Sequence, residues 1–277
     1  MLTSFLLIIN IVVTFLGIYI FDYQPDGAVN NLLVIFLSIV VGIISAFIGA
    51  IIFLEISYAI FAKGKPNNSK FKHKIAKQIV SVPIHLFNVR TKVIGKENLP
   101  KDYNFLIYAN HTSELDISIL MYKLPEYPIA FLAKQAVLGY LSIGKWALSI
   151  GCVMLDRDNN RKGVDAVSQV AENVNNGSTM VVFPEGTIKK EIGKLLKFRR
   201  GSFKIALGSG VPLVPVTIVK DEKYNKGFWP MPKKFTIVIH QPLPYDEYKN
   251  LNSTKLSEKV RVIIKSELNW EEDQKEV

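Results

Sequence analysis

The chain has 277 residues, enough for one sizeable domain and an additional segment. Hydrophobic residues make up 49% of it and the mean hydropathy is +0.20, which is high for a soluble protein, so we expect membrane segments. The net charge of +10 would suit nucleic acid, but the sequence contains no nucleic-acid-binding motif. A single cysteine excludes an internal disulfide and fits a cytoplasmic domain.

Two uncharged runs near the N-terminus, Leu2 to Phe21 and Leu32 to Leu54, are each long enough to cross a hydrocarbon core of about 30 Å. A cleaved signal peptide is the alternative for the first run, but the run lacks a basic start and a small-residue cleavage site. We therefore predict a transmembrane hairpin over residues 1–62. Its connecting loop has no Lys or Arg, whereas lysines follow the second run, so both ends are expected in the cytoplasm.

A basic amphipathic segment follows the hairpin, in residues 63–92. Within Ser69 to Phe87, apolar residues recur at spacings of four and three, which predicts a helix lying on the membrane. The apolar residues are Phe71, Ile75, Ile79 and Val82. The lysines expected to meet anionic headgroups are Lys70, Lys72, Lys74 and Lys77. His73 and His85 are predicted to lie at the interface without a role of their own.

From Val93 onward, short apolar runs alternate with helical stretches, which predicts an α/β domain over residues 93–277. We expect a central, mostly mixed β-sheet flanked by helices. The predicted strands are Phe105–Ala109, Ile129–Ala133, Cys152–Leu155, Thr179–Phe183, Leu213–Val219 and Phe235–His240. The predicted helices are Lys134–Ser149, Arg161–Val174, Phe203–Leu207 and Ser253–Leu268.

The stretch YANHTSELDISI, Tyr108 to Ile119, places His111 and Asp116 at the carboxyl end of a predicted strand. Open α/β sheets bind ligands at such edges. From one turn into the following helix, Asp116 can accept from one ring nitrogen of His111 and leave the other as a base that activates a hydroxyl. Ser113 and Asp116 also fit a helix capping box, so a structural role is the alternative.

The sequence FPEGT, Phe183 to Thr187, follows another predicted strand. Gly186 permits close approach of the backbone to a ligand, Thr187 offers a hydroxyl, and Glu185 offers an acceptor or an orienting charge. The alternative is a surface turn with a solvated glutamate. Two further stretches are less specific: GCVMLDR ends a strand in charged residues, and the prolines of VPLVPV favour an edge strand or the wall of a cavity.

In chain order these stretches read N-H-x-x-x-x-D, G-x-x-x-L-D-R, F-P-E-G-T and V-P-x-V-P-V. This order resembles the four-block pattern of the 1-acylglycerol-3-phosphate acyltransferases, over about Asn110 to Val216. The resemblance extends to AKQ at Ala133 to Gln135 and to FRRGSF at Phe198 to Phe203. It implies the glycerolphosphate acyltransferase fold and the transfer of a fatty acyl group to the sn-2 hydroxyl of lysophosphatidic acid, which makes phosphatidic acid.

The resemblance also implies roles for individual residues. His111 is the base and Asp116 its partner, and Glu185, Gly186 and Thr187 belong to the acceptor site. Lys134 and Arg157 would lie near the substrate phosphate. The third block of the family usually reads F-P-E-G-T-R, and Ile188 replaces that arginine here. Arg199 and Arg200 are the candidates to substitute for it.

The resemblance further implies that no cofactor is needed beyond an acyl donor, which is acyl-CoA or acyl carrier protein. No metal-ligand cluster is visible in the sequence, and no G-x-S-x-G elbow of an α/β-hydrolase occurs. The expected partners are membrane phospholipids, lysophosphatidic acid and the acyl donor, in an integral cell-membrane protein with a cytoplasmic catalytic domain. Alternatives are acyl transfer to another lysophospholipid, lipid hydrolysis with the same His/Asp pair, and a non-catalytic lipid-binding scaffold.

Overall fold

The computed structural model describes residues 2–20, 28–102, 104–156, 160–188, 194–221 and 230–268. The chain divides into two compact units, Met1–Lys63 and Gly64–Val277. The predicted loop of the hairpin, at residues 21–27, lies outside the described residues.

The first unit consists of two apolar helices, α1 (Leu2–Ile20) and α2 (Ala28–Ser57), and a π-helical turn, Tyr58–Ala62, that continues α2. Glycines let the two helices approach closely, because a Cβ on Gly17 would lie 2.6 Å from the Ser38 hydroxyl oxygen. The segments Leu2–Ile20 and Asn31–Ala62 are long and apolar enough to cross a membrane.

The second unit is built on one mixed sheet, as predicted. Its described strands are β1 (Val89–Ile94), β2 (Leu106–Ala109), β3 (Ile129–Lys134), β4 (Val153–Leu155), β5 (Thr179–Val182), β6 (Leu213–Lys220) and β7 (Lys233–Ile239). They lie in the order β1-β7-β6-β2-β5-β3-β4. Neighbouring strands are parallel except β6 and β7. The central strands β2 and β5 are buried along their whole length, which explains why their sequences are continuously apolar.

Strand β1 was not predicted. Its residues alternate between half-buried and exposed positions, and the exposed ones include Arg90 and Lys92. Six residues in which charged and apolar side chains alternate, next to a lysine-rich helix, do not predict a strand clearly. The strand forms because Val89 to Ile94 pair in parallel with Lys233 to Val238 of β7, far away in the sequence.

The helices of the second unit are α3 (Lys70–Leu86), α4 (Leu115–Lys123), α5 (Leu141–Ser149), α6 (Asn160–Asn175), α7 (Lys204–Ser209) and α8 (Ser253–Ser266). The prediction of one helix over Lys134–Ser149 is wrong. Lys134 ends β3, where it pairs with Leu155, and a 3₁₀ turn covers Gln135–Gly139. Tyr140 is extended (φ −84°, ψ 90°), so α5 begins only after it. Gly139, a poor helix former, stands at this break.

Helix α3 packs on α4 and β1, which corrects part of the interfacial prediction. Lys72 is fully buried rather than exposed to headgroups, and its Nζ donates to the Lys65 carbonyl oxygen at 3.0 Å. Burial lowers the pKa of Lys72 to about 8. His73 is buried as well, with Nδ1 3.1 Å from the Ser69 carbonyl oxygen. Lys70 and Lys74 stay exposed on this helix.

Candidate active site

The candidate site lies at the carboxyl ends of β2, β3 and β5. Because these strands are parallel neighbours, their ends bring the His111 loop, Lys134 and the FPEGT loop to one edge of the sheet. Asn110 fixes the end of β2 to β6: its amide donates to the Ile218 carbonyl at 2.9 Å and accepts from the Ile218 N–H at 2.7 Å. The loop that carries His111 therefore starts from a rigid position.

His111 and Asp116 are in hydrogen-bond contact, with 2.9 Å between Nδ1 and Oδ2. The Asp116 side chain is completely buried, and that of His111 is 14% exposed. With Nδ1–H donating to the carboxylate, Nε2 of the neutral ring keeps its lone pair and is free to act as a base. The imidazole stacks on the Phe183 ring with centroids 4.1 Å apart, which fixes the plane of the base.

Asp116 also organises the turn before α4. Its Oδ2 accepts from the backbone N–H groups of Thr112 (2.6 Å) and Ser113 (2.8 Å), and its Oδ1 accepts from the Thr112 hydroxyl at 3.1 Å. The Ser113 hydroxyl in turn accepts from the Leu115 N–H at 3.2 Å. Both contacts expected from the sequence are thus present, because one carboxylate accepts from the His111 ring and from the Ser113 N–H before the helix.

Glu185 is buried, so the alternative of a solvated surface glutamate is wrong. Its Oε1 accepts from the His111 N–H and its Oε2 from the Leu196 N–H, each at 2.8 Å. Burial raises the pKa of Glu185, and these two hydrogen bonds oppose that shift. The side chain ties the His111 loop to the segment around Leu196. A direct contact of Glu185 with the acceptor stays a prediction.

Gly186 has a left-handed backbone conformation in the FPEGT loop, and the Arg199 side chain packs against it. The glycine has φ +72°, and a Cβ there would lie 2.5 Å from the Arg199 Nε. The Arg199 N–H also donates to the Pro184 carbonyl oxygen at 2.8 Å. The exposed guanidinium of Arg199 is therefore held beside this loop.

A cleft of about 150 Å³ opens beside His111. Its walls are mainly apolar, and they include Phe131, Val137, Tyr140, Phe183 and Ile188. The polar or charged side chains along it are His111, Glu114, Lys134 and Thr187. An apolar cleft with a base inside suits a substrate that joins a hydrocarbon chain to a reacting hydroxyl.

Comparison with known proteins identifies relatives of this chain. The family model described as "Acyltransferase" matches residues 90–219. A chloroplastic 1-acyl-sn-glycerol-3-phosphate acyltransferase of Brassica napus is 40% identical over 54% of this chain and 43% of its own length. The corresponding LPAT1 of Arabidopsis thaliana is 34% identical over 76% of this chain and 58% of its own length. The chain thus spans about half the length of these curated relatives.

A solved structure is similar over most of both chains. It is the crystal structure of the 1-acyl-sn-glycerophosphate (LPA) acyltransferase PlsC from Thermotoga maritima, with a TM-score of 0.61 and 26% identity. The match covers 81% of this chain and 94% of the other. This chain contains an acyltransferase domain, over residues 90–219, and is similar to these 1-acylglycerol-3-phosphate acyltransferases.

The cations expected around the phosphate of this family's acceptor occupy different places. Lys134 is exposed along the cleft, and Arg199 lies on the FPEGT loop. Arg200 is directed to α8, where its Nη1 is 3.5 Å from the Thr254 hydroxyl. Arg157 lies outside the described residues. Ile188, which replaces the arginine of the family, lines the cleft and adds apolar surface.

Lys220 was missed by sequence reasoning. It ends β6, is 6% exposed, and its Nζ donates to the Thr112 carbonyl oxygen at 2.5 Å. Burial lowers the pKa of Lys220, and the charge of Asp116 raises it. A buried cation thus lies next to the His111–Asp116 pair. Lys220 could have been suspected because it ends β6, which is parallel to β2 and therefore ends at the same edge of the sheet. A lysine at a strand end is, however, ordinarily a solvated charge.

Cys152 is buried, and burial raises the pKa of its thiol to about 12. The backbone N–H of Phe131 donates to its sulfur at 3.4 Å. Because the thiolate is the reactive form, this cysteine is a poor acyl-accepting nucleophile. Within the described ranges, no three His, Cys, Asp or Glu side chains are grouped to hold a metal ion.

Proposed function

We propose that the protein transfers a fatty acyl group from an acyl thioester to the sn-2 hydroxyl of lysophosphatidic acid and so makes phosphatidic acid. The observation that carries the proposal is the buried Asp116 bound to Nδ1 of His111 beside an apolar cleft. The names of the related acyltransferases support the same acceptor. The donor is acyl-CoA or acyl carrier protein, and no other cofactor takes part.

In this mechanism, Nε2 of His111 takes the proton of the acceptor hydroxyl as its oxygen attacks the thioester carbonyl. Asp116 stabilises the imidazolium that results. When the tetrahedral intermediate collapses, the C–S bond breaks, and the imidazolium returns the proton to the departing thiolate. The products are the sn-2 ester and a free thiol. General-base help of this kind contributes about 10² to 10⁴ in rate, and positioning both substrates in one site adds more.

The acceptor site combines the FPEGT loop with nearby cations. Gly186 and Thr187 border the cleft, and Glu185 links this loop to the His111 loop and to Leu196 by accepting two backbone hydrogen bonds. Lys134, Arg199 and Arg157 are the candidate phosphate ligands, by charge-assisted hydrogen bonds worth about 1.5 to 3 kcal/mol each. Arg200 is the weaker candidate, because Thr254 already lies beside it.

The protein is proposed to be integral to the cell membrane, with α1 and α2 as the spanning hairpin and the catalytic unit on the cytoplasmic side. The support is the length and apolar character of both helices and the lysines that follow the second one. A cysteine introduced at Lys74, an exposed position on α3, tests the sidedness. In spheroplasts it should resist a membrane-impermeant maleimide, and in inverted vesicles it should react. The opposite pattern overturns the orientation.

The reaction is tested with the full chain in vesicles, lysophosphatidic acid, and labelled acyl-CoA or acyl carrier protein. Labelled phosphatidic acid, absent from His111→Ala, is the expected product. Free fatty acid alone would indicate a hydrolase, and no product with either donor would indicate a lipid-binding scaffold. Ile188 favours one alternative, another lysophospholipid acceptor, so lysophosphatidylglycerol and lysophosphatidylethanolamine belong in the same assay. Faster turnover of either would replace lysophosphatidic acid as the acceptor.

A further inference from the structure

The exposed large apolar side chains of the second unit are concentrated in one segment. Among its described residues, twelve large apolar side chains are exposed, and five of them fall between residues 138 and 148. These five are Leu138, Tyr140, Leu141, Ile143 and Leu148. Of the other seven, Leu86, Phe87 and Ile94 form a smaller group and the rest are isolated in sequence, so the larger group indicates an interaction surface.

This apolar rim, defined as residues 135–148, begins at the cleft. Ala136, Val137 and Tyr140 line the same cleft as His111, and the polypeptide then continues into α5. The rim is therefore continuous with the mouth of the candidate active site. An acceptor that moves along the rim arrives at the base.

The rim is held in place from its inner side. Ser142, Gly144 and Trp146 are buried in α5. A Cβ on Gly144 would lie 2.8 Å from the Leu138 carbonyl oxygen, so the 3₁₀ turn packs directly on the helix. The exposed side chains consequently project from a supported element and not from a fraying end.

The charges along the rim fit a lipid surface. Lys134 and Lys145 are exposed, at its start and within α5, and no Asp or Glu occurs between Tyr127 and Leu155. Leucine and isoleucine beside a tyrosine and lysines are the composition of an interfacial membrane segment. An acidic side chain would be repelled by anionic headgroups, and the sequence contains none here.

We infer that the apolar rim is a membrane contact in its own right, which seats the mouth of the cleft on the bilayer. A single-chain acceptor then enters the cleft from the membrane without crossing water. The acceptor part of this inference rests on the proposed function, whereas the contact with the bilayer does not.

Depth measurement by a spin label tests the contact. Leu141→Cys in the full chain places a thiol at an exposed position. The label attaches there selectively, because Cys152 is buried and its thiol has a strongly raised pKa. Val262→Cys on α8 is the matched control, since Val262 is 66% and Leu141 68% exposed. In vesicles of phosphatidylcholine and phosphatidylglycerol, the label at 141 should be relaxed by oxygen more than by a nickel chelate, and the label at 262 by the chelate more than by oxygen.

Two results of this measurement would overturn the inference. The first is a label at 141 that is as open to the nickel chelate as the label at 262, which means that the rim faces water. The second is a label at 141 that is shielded from both reagents, which means that protein covers the rim.

A kinetic measurement tests the entry route. Leu141→Glu should raise the KM for long-chain lysophosphatidic acid in anionic vesicles about threefold to tenfold, because the added charge lifts the rim from the lipid. It should leave kcat/KM for a monomeric short-chain acceptor unchanged, and Val262→Glu should change neither value. An equal loss on both acceptors overturns the entry route. Inactivity of the wild-type chain on every acceptor would defeat the proposed function, while the spin label would still report on the contact.

Discussion

The His111–Asp116 dyad and the cations proposed to bind phosphate lie at the same edge of the sheet but are held in opposite ways. Asp116 is completely buried and accepts from His111, Thr112 and Ser113, so its position is fixed before any substrate binds. Lys134 and Arg199 are exposed on long side chains. In the proposed mechanism, the bond-making groups are thus preorganised, whereas headgroup recognition is assigned to adaptable side chains. Changes in the dyad should therefore affect turnover, and changes in the cations should affect substrate affinity.

The largest effect is expected from His111→Ala. Loss of the base should lower kcat at least about 10²-fold, with little change in melting temperature because Asp116 keeps its backbone donors Thr112 and Ser113. Steady-state kinetics and thermal unfolding of the full chain measure both. His240→Ala is the control. The Nε2 of His240 lies 2.8 Å from the Thr217 hydroxyl oxygen, so this histidine has a hydrogen-bond partner outside the dyad. Near-wild-type turnover in His111→Ala would contradict the mechanism.

Asp116→Asn should be nearly as harmful to turnover and should also destabilise the fold. The amide removes the buried charge that orients the histidine, and it leaves backbone donors less well satisfied, at a cost of about 1 to 3 kcal/mol. Rate measurements and urea unfolding separate the two effects. Ser113→Ala loses the hydrogen bond from the Leu115 N–H and keeps the Asp116 carboxylate. If Ser113→Ala lowers kcat as much as Asp116→Asn does, Asp116 acts through the helix start alone.

A smaller effect is expected from the cations, and it should appear in a different constant. Lys134→Ala, Arg157→Ala and Arg199→Ala should each raise the KM for lysophosphatidic acid about tenfold and leave the KM for the thioester unchanged. Arg200→Ala should change the acceptor KM less than about twofold, because that side chain is directed to α8. Equal activity on a monoacylglycerol, which has no phosphate, would mean that Ile188 marks a different acceptor lipid.

The smallest effect is expected from Lys220. This residue is a cation like Lys134 and Arg199, but it is buried like Asp116. Lys220→Met removes a positive charge beside the dyad, so it should move the acidic limb of the kcat/KM profile to higher pH, by about 0.5 to 1 unit. Lys220→Arg should keep the limb within about 0.3 unit of the wild type. A purely structural role would lower stability in Lys220→Met and leave the pH profile in place.

The central strands and the dyad could be predicted because their signals are local. A fully buried strand such as β2 is a continuous apolar run, and His111 with Asp116 lies within a single turn. Strand β1 could not be predicted in the same way, because Arg90 and Lys92 interrupt its apolar pattern and its partner is at the other end of the domain. Local propensity is overridden there by pairing.

The burial of individual charged residues could not be predicted from the sequence. Glu185 in a Pro-Glu-Gly turn suggests a solvated charge, but the structure gives it backbone donors 74 and 11 residues away. Lys220 meets Thr112 across 108 residues, and Lys72 is buried on a helix whose other lysines include exposed ones. Such charges are stabilised by partners that only the tertiary fold supplies.

The position of β1 at the sheet edge has a consequence for biosynthesis. Val89 pairs with Lys233, about 140 residues later in the chain. At a translation rate of about 5 to 20 residues per second, the first strand waits about 7 to 30 s for its partner. The two N-terminal apolar helices leave the ribosome long before that moment. A growing chain therefore has time to reach a membrane while its sheet is still open at one edge, and a chain truncated before Lys233 would expose that edge permanently.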